Sequence, residues 1–153
     1  MTALPTPDKL AELVSTVTTT MLGLTFHADA DAARLPRLSW RTAVLPIPGR
    51  SPITVGLSSD ESGCAALSSA MFACGAGEVD ASMIDDSLCE LVNMTAGLVK
   101  ATMSLDQALG LPRVIGSSSR GDAPGPKGGT GQSVVLKADQ VGLILWICEG
   151  VLP

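Results

Sequence analysis

The chain has 153 residues, a length that fits one domain with a substantial core. A formal net charge of −5 without basic clusters, no Tyr and only two Phe and two Trp exclude nucleic acid or an anionic membrane as the main partner. Hydrophobic residues make up 46 % and mean hydropathy is +0.37, yet no apolar run approaches the roughly 20 residues of a bilayer span. The start, Met1-Thr2-Ala3-Leu4-Pro5, lacks the basic and apolar blocks of a signal peptide. Cys64, Cys74, Cys89 and Cys148 form no CxxC pair and sit among apolar or small residues. The expectation is a cytoplasmic protein with reduced, mostly buried thiols and no membrane insertion.

Thr6-Pro7-Asp8 reads as a helix start, with a capping hydroxyl, proline at the first position and an acid near the positive end of the dipole. Leu10, Leu13, Val14, Val17 and Met21 carry that helix to about Leu22, where Gly23 closes it. The acidic, alanine-rich stretch from Phe26 to Pro36 is a loop or a strand leading into one. From Arg37 the period changes, and Leu38, Trp40, Thr42, Val44 and Ile47 predict a strand ended by Pro46 and Pro48-Gly49. Ile53 to Ser58 is a second, β-branched strand. Asp60-Glu61-Ser62-Gly63 predicts a turn with glycine at positive φ, returning through Cys64 to Leu67 as a third strand. A helix starting at Asp60 competes with this hairpin, which is preferred because Gly63 would interrupt the helix in its first turn. A short helix from Ser68 or Ser69 to Cys74 follows, stopped by Gly75-Ala76-Gly77.

Asp80 or Ser82 caps the next helix, which contains neither Gly nor Pro from Ala81 to Ala96 and extends to about Met103. It is the longest element of the chain. At about 100° per residue, Asp86, Glu90, Asn93, Gly97 and Lys100 share one narrow face. Ile84, Leu88, Leu91, Val92, Thr95, Leu98, Val99 and Thr102 lie roughly opposite. Read alone, such a polar stripe is a solvated helix face. After Gly110-Leu111-Pro112 come strands at Arg113 to Ser118, Ser133 to Ala138 and Val141 to Cys148. The Ser/Gly-rich segment 117–132, with Pro124 and Pro126, predicts a flexible hairpin loop. Strand groups segregated around helices point to one α+β domain over 1–153, a six-stranded mainly antiparallel sheet with the long central helix and the N-terminal helix packed on it.

Most self-contained chemistries lack their residues. His27 is the only histidine, which disfavours both a dedicated metal site and a Ser-His-Asp or Cys-His nucleophile. Gly121 to Gly131 has the composition of a phosphate loop without GxxxxGK[ST] spacing. Asp85 and Asp86 read more simply as partners of the helix dipole than as a hydrolytic carboxylate pair.

The run Asp85-Asp86-Ser87-Leu88-Cys89-Glu90-Leu91-Val92-Asn93-Met94-Thr95-Ala96-Gly97, followed by Leu98-Val99-Lys100, resembles the signature helix of the CheC/CheX/FliY chemotaxis phosphatases. Their mark is a Glu-x-x-Asn pair on a long helix with glycine one turn on. Met21-Leu22-Gly23 at the end of the first helix, Ser62-Gly63 before small apolar residues, and Leu111-Pro112-Arg113-Val114-Ile115 agree with that pattern. Detailed matching is confined to about residues 85–116. The chain has one such motif, as in the CheX type, where CheC-like members commonly carry two. The resemblance implies dephosphorylation of the aspartyl phosphate of a CheY-like response-regulator receiver. By position, Asn93 would position the attacking water and Glu90 would pair with the receiver's lysine, while Asp86, Gly97 and Lys100 would contact the partner. No cofactor of the chain's own is expected, and Mg2+ would sit on the phosphorylated receiver. A homodimer is implied by the same likeness. The alternative is a non-catalytic adaptor using the same helix face to bind a receiver or a flagellar switch component.

Overall fold

The computed structural model describes residues 4–28, 40–118, 131–138 and 141–150. Helix α1, Pro7–Leu22, starts and stops where its sequence predicts. The Thr6 hydroxyl accepts the Lys9 N–H at 3.3 Å, and Gly23 adopts a left-handed φ of 69°, sending its N–H back to Thr19 O. Leu10, Leu13, Val14 and Val17 form its buried stripe. The following segment includes buried Phe26 and a two-residue exposed strand, β1, His27–Ala28; residues 29–36 of the expected loop or strand lie outside the described residues.

Strands β2, Trp40–Ile47, and β3, Ile53–Asp60, form an antiparallel hairpin running from Trp40 opposite Asp60 to Ile47 opposite Ile53. Pro46 lies inside β2 rather than ending it. Its carbonyl turns away from β3 and accepts the Gly110 N–H at 2.7 Å, so its missing donor falls on the side where no strand pairs with it.

The predicted turn and third strand at 60–67 are not formed. In their place is helix α2, Glu61–Phe72, which also absorbs the short helix expected at 68–74. Asp60 is its N-cap, accepting the Gly63 N–H at 2.6 Å and the Ser62 hydroxyl at 3.1 Å. Gly63 has no positive φ; it is required by packing, because a Cβ there would lie 2.1 Å from Ser59 Oγ. The helix penalty of glycine, about 1 kcal/mol against alanine, is comparable to what a good N-cap contributes. Ala73 ends α2 at a φ of 52°, and a single 3₁₀ turn, Ala76–Glu78, leads to helix α3, Ala81–Thr102.

The last strands are β4, Arg113–Ser118, β5, Gly131–Ala138, and β6, Val141–Glu149. Two residues at each end of the expected loop 117–132 therefore belong to strands, and the remainder lies outside the described residues. Strand order is β1-β5-β6-β3-β2-β4, and every pairing is antiparallel. The architecture is thus the expected six-stranded α+β one, although β1 takes the place of the strand predicted at 64–67.

All three helices pack on one face of the sheet: α3 over β2 and β3, α2 against β3 and β6, and α1 across β5. Alternation along each strand sends Leu45, Ile47, Val55, Leu57, Leu143, Leu145 and Ile147 into the core with Leu10, Val14, Leu67, Leu88 and Leu91. Each such aliphatic side chain contributes about 1.5–3 kcal/mol by leaving water. The opposite sheet face carries a smaller cluster of Val44, Ile144, Trp146 and Cys148. There Gly56 faces Trp146 across the ladder, and any Cβ would lie 1.9 Å from the indole. Among the described residues, no helix is long and apolar enough to cross a membrane.

Candidate functional site

The site is set by the way α3 is held. Asp80 Oδ1 caps the helix by accepting the Met83 N–H at 2.9 Å. Ser87, Leu88, Leu91, Val92, Thr95, Ala96 and Val99 are buried against the sheet and the other helices. The two hydroxyls among them are satisfied within the helix, Ser87 donating to Met83 O and Thr95 to Leu91 O, both at 2.8 Å. Arg41, on β2, ties down the start of the helix by donating to Asp85 Oδ1 at 2.8 Å and to Ala81 O at 3.4 Å. Partly exposed pairs of this kind contribute about 0–1 kcal/mol, so its value lies in fixing where α3 starts. Asp85 is therefore an ion-pair partner. Neither it nor Asp86 is in the first turn, where a carboxylate would complement the dipole.

With that face buried, the predicted stripe is turned outward. Asp86 and Glu90 are exposed, while Asn93, Gly97 and Lys100 are half-buried. Among the described residues, neither Glu90 nor Asn93 makes a side-chain hydrogen bond or ion pair. Gly97 has open space around it: a Cβ there meets nothing within 4 Å. The fold does not need this glycine for packing, although in mid-helix it costs about 1 kcal/mol against alanine.

The structure brings Asp86, Glu90 and Asn93 together with Cys89, Gly110, Leu111 and Pro112 around an open depression of about 410 Å³. Gly97 and Lys100 continue along the same helix face, beyond the depression. The wall formed by Gly110 to Pro112 is a part of the site that helical periodicity does not reveal. Its one signal in sequence is the Leu-Pro pair that follows the long helix. Burial pushes the Cys89 thiol up, and the carboxylates of Asp85 and Asp86 push it further, so it stays protonated near neutrality and is a poor nucleophile. Among the described residues, no three His, Cys, Asp or Glu side chains are grouped to hold a metal. What the depression presents is an amide that both donates and accepts, next to a carboxylate that accepts only. Such a pair can orient a water molecule and receive a cation, on a surface open enough to admit part of another protein.

A larger hollow of about 580 Å³ lies between α1 and β1, lined by Thr16, Thr19, Thr20, Thr25 and His27. Three of its hydroxyls are engaged locally, Thr19 with Thr25 at 3.0 Å and Thr16 with Glu12 O at 2.9 Å, and the α3 depression is the better candidate.

Comparison with known proteins bears on the fold and the family. A search of curated proteins by sequence returns no match. Among solved structures, a chemotaxis protein CheX from Vibrio vulnificus superposes with a TM-score of 0.70 at 16% identity, covering 92% of this chain and 93% of that one. CheX in the CheX–CheY–BeF3–Mg2+ complex from Borrelia burgdorferi gives 0.61 at 12%, covering 97% and 100%. The FliM middle domain from H. pylori gives 0.56 at 13%, covering 94% and 87%. Residues 41–128, more than half of the chain and including the whole of α3, match the family model described as chemotaxis phosphatase CheX. The chain is therefore a member of the CheX family of chemotaxis phosphatases.

Proposed function

We propose that this protein removes the phosphoryl group from the aspartyl phosphate of a CheY-like receiver domain, with Asn93 positioning the water and Glu90 pairing with the receiver's lysine. The observation that carries this reading is the uncommitted Glu90/Asn93 pair, turned outward on α3 of a CheX-family chain. The fold shared with CheX of the Borrelia burgdorferi CheX–CheY–BeF3–Mg2+ complex supports a receiver as the partner.

An acyl phosphate is already activated, and the Mg2+ and acidic residues around it would belong to the receiver. What remains is to hold water in line with the P–O bond. As its oxygen bonds to phosphorus, the aspartyl carboxylate leaves and inorganic phosphate is released. An amide can orient that water without titrating. Glu90, by engaging the lysine, would fix the register of the two proteins, with Asp86 and Lys100 extending the contact at opposite ends of the stripe. Gly97 would let the partner's backbone approach, which accounts for a helical glycine that the fold itself does not require.

The test is a panel of the host's receivers charged with acetyl phosphate, followed by loss of the phosphoryl group with and without the protein. Acceleration of one receiver that is abolished by Asn93→Ala is expected. No acceleration of any receiver overturns the phosphatase reading, and full activity of Asn93→Ala overturns the mechanism. The likeness to the FliM middle domain favours a second reading, an adaptor that binds through the same face without turnover. Saturable binding to a receiver or a switch component with no phosphate release would select it.

A further inference from the structure

Leu111 is the most exposed large hydrophobic side chain among the described residues, at 85 %. A single exposed leucine is ordinary on a protein surface, but this one stands on the rim of the depression that holds Glu90 and Asn93. Its backbone is also fixed there. The Gly110 N–H is bound to Pro46 O at 2.7 Å, and the glycine is packed so closely that a Cβ would meet Pro46 at 2.7 Å. On the other side Pro112 locks its own φ and restricts Leu111 to extended conformations. Arg113 then enters β4, anchored on β2 opposite Val44. With its backbone held between a pinned glycine and a proline, this leucine stands in water on the rim of the site.

From this we propose that Leu111 is the apolar anchor of receiver docking, packing on a hydrophobic patch beside the receiver's phosphorylation site and so setting affinity rather than the chemical step. The inference rests on the receiver-phosphatase reading of the same site. It assigns a division of labour: Asn93 acts on the water, Glu90 supplies charge, and Leu111 supplies the buried contact that a stripe of polar residues lacks. In many interfaces a few buried side chains, ringed by contacts of little energy that exclude water, carry most of the affinity.

The test measures both binding to a beryllofluoride-loaded receiver and turnover of the acetyl-phosphate-charged one, using the full chain with Leu111→Ser and Leu111→Met. Losing a fully covered leucine weakens binding by about 10- to 100-fold. Leu111→Ser should therefore raise Kd and KM by that factor with kcat and melting temperature unchanged, and Leu111→Met should restore most of the affinity. Unchanged Kd and KM in Leu111→Ser overturn the anchor and leave the phosphatase reading standing. A fall in kcat together with melting temperature makes Leu111 structural and also overturns it. Leu111-dependent binding without turnover by the unaltered protein upholds the anchor and overturns the catalytic reading. Absence of both binding and turnover overturns both.

Discussion

The two faces of α3 share one backbone and answer to different constraints. On the inward face, Leu88, Leu91, Val92 and Val99 are at most 1 % exposed, and even the hydroxyls of Ser87 and Thr95 are satisfied within the helix. On the outward face, Glu90 and Asn93 have no described side-chain partner, and Gly97 occupies a position with room for a methyl group. One face is optimised for the fold alone. The other leaves hydrogen-bonding capacity and helix stability unused, as expected of a surface completed only by another molecule. The difference separates positions where substitution is read as lost stability from those where it is read as lost activity.

The largest separation should come from Asn93→Ala. We expect phosphate release to fall by about 100-fold or more, the scale of removing a positioned polar group from a transition state, while stability changes by no more than about 0.5 kcal/mol. Kinetics and urea denaturation of one sample decide this, and a matching loss of stability would erase the distinction between the faces. Leu91→Ala should do the reverse, lowering stability by about 2–5 kcal/mol through lost burial and a residual cavity. Whatever fraction remains folded should keep full activity. Gly97→Ala should move the two readouts in opposite directions. Melting temperature should rise with a gain of about 0.5–1 kcal/mol, while the half-saturating receiver concentration increases. If affinity also improved, the glycine would not serve close approach.

A pH-dependent effect lies on the inward side, at Cys64 of α2. Burial pushes its thiol up to about 12, with the carboxylates of Asp60, Asp85 and Glu61 adding to the shift and Arg41 opposing it. In the unfolded chain this thiol ionises near its ordinary value of 9.0, so above that pH the unfolded state releases a proton that the folded state retains. Stability from this group is fully present below about pH 9 and declines as pH rises toward 12. Urea midpoints between pH 8 and pH 10.5 should fall less steeply in Cys64→Ala than in the unaltered protein.

What was legible in the sequence followed from periodicity and caps. Thr6-Pro7 with Gly23, and Asp80 with the run to Thr102, gave α1 and α3 nearly to the residue, because each end signal is local. The stripe of Asp86, Glu90, Asn93, Gly97 and Lys100 was legible for the same reason, though its meaning came from the family resemblance. Helix α2 is not legible locally, because the intrinsic helix cost of Gly63 favours a turn, whereas Ser59 and the Asp60 cap decide its conformation. Strand β1 was not legible because both its residues are exposed and its pairing comes from Leu136 and Lys137, far along the chain. The wall around Leu111 was hidden likewise. It exists because Gly110 finds Pro46, a contact that local sequence does not encode.

The strand order has a consequence for how the protein assembles. Two local hairpins, β2/β3 and β5/β6, meet along the β3–β6 seam, where Ile53 lies opposite Glu149 and Ser58 opposite Ile144. Helix α3 lies in the chain between these hairpins and packs on the first, while β4 returns to the outer edge of β2. Closing the seam pairs strands far apart in the chain, the kind of non-local contact that costs loop-closure entropy and slows folding in general. The helix carrying Glu90 and Asn93 thus lies within the stretch of chain that this closure spans, so its outward face takes its place beside Gly110–Pro112 only in the assembled sheet.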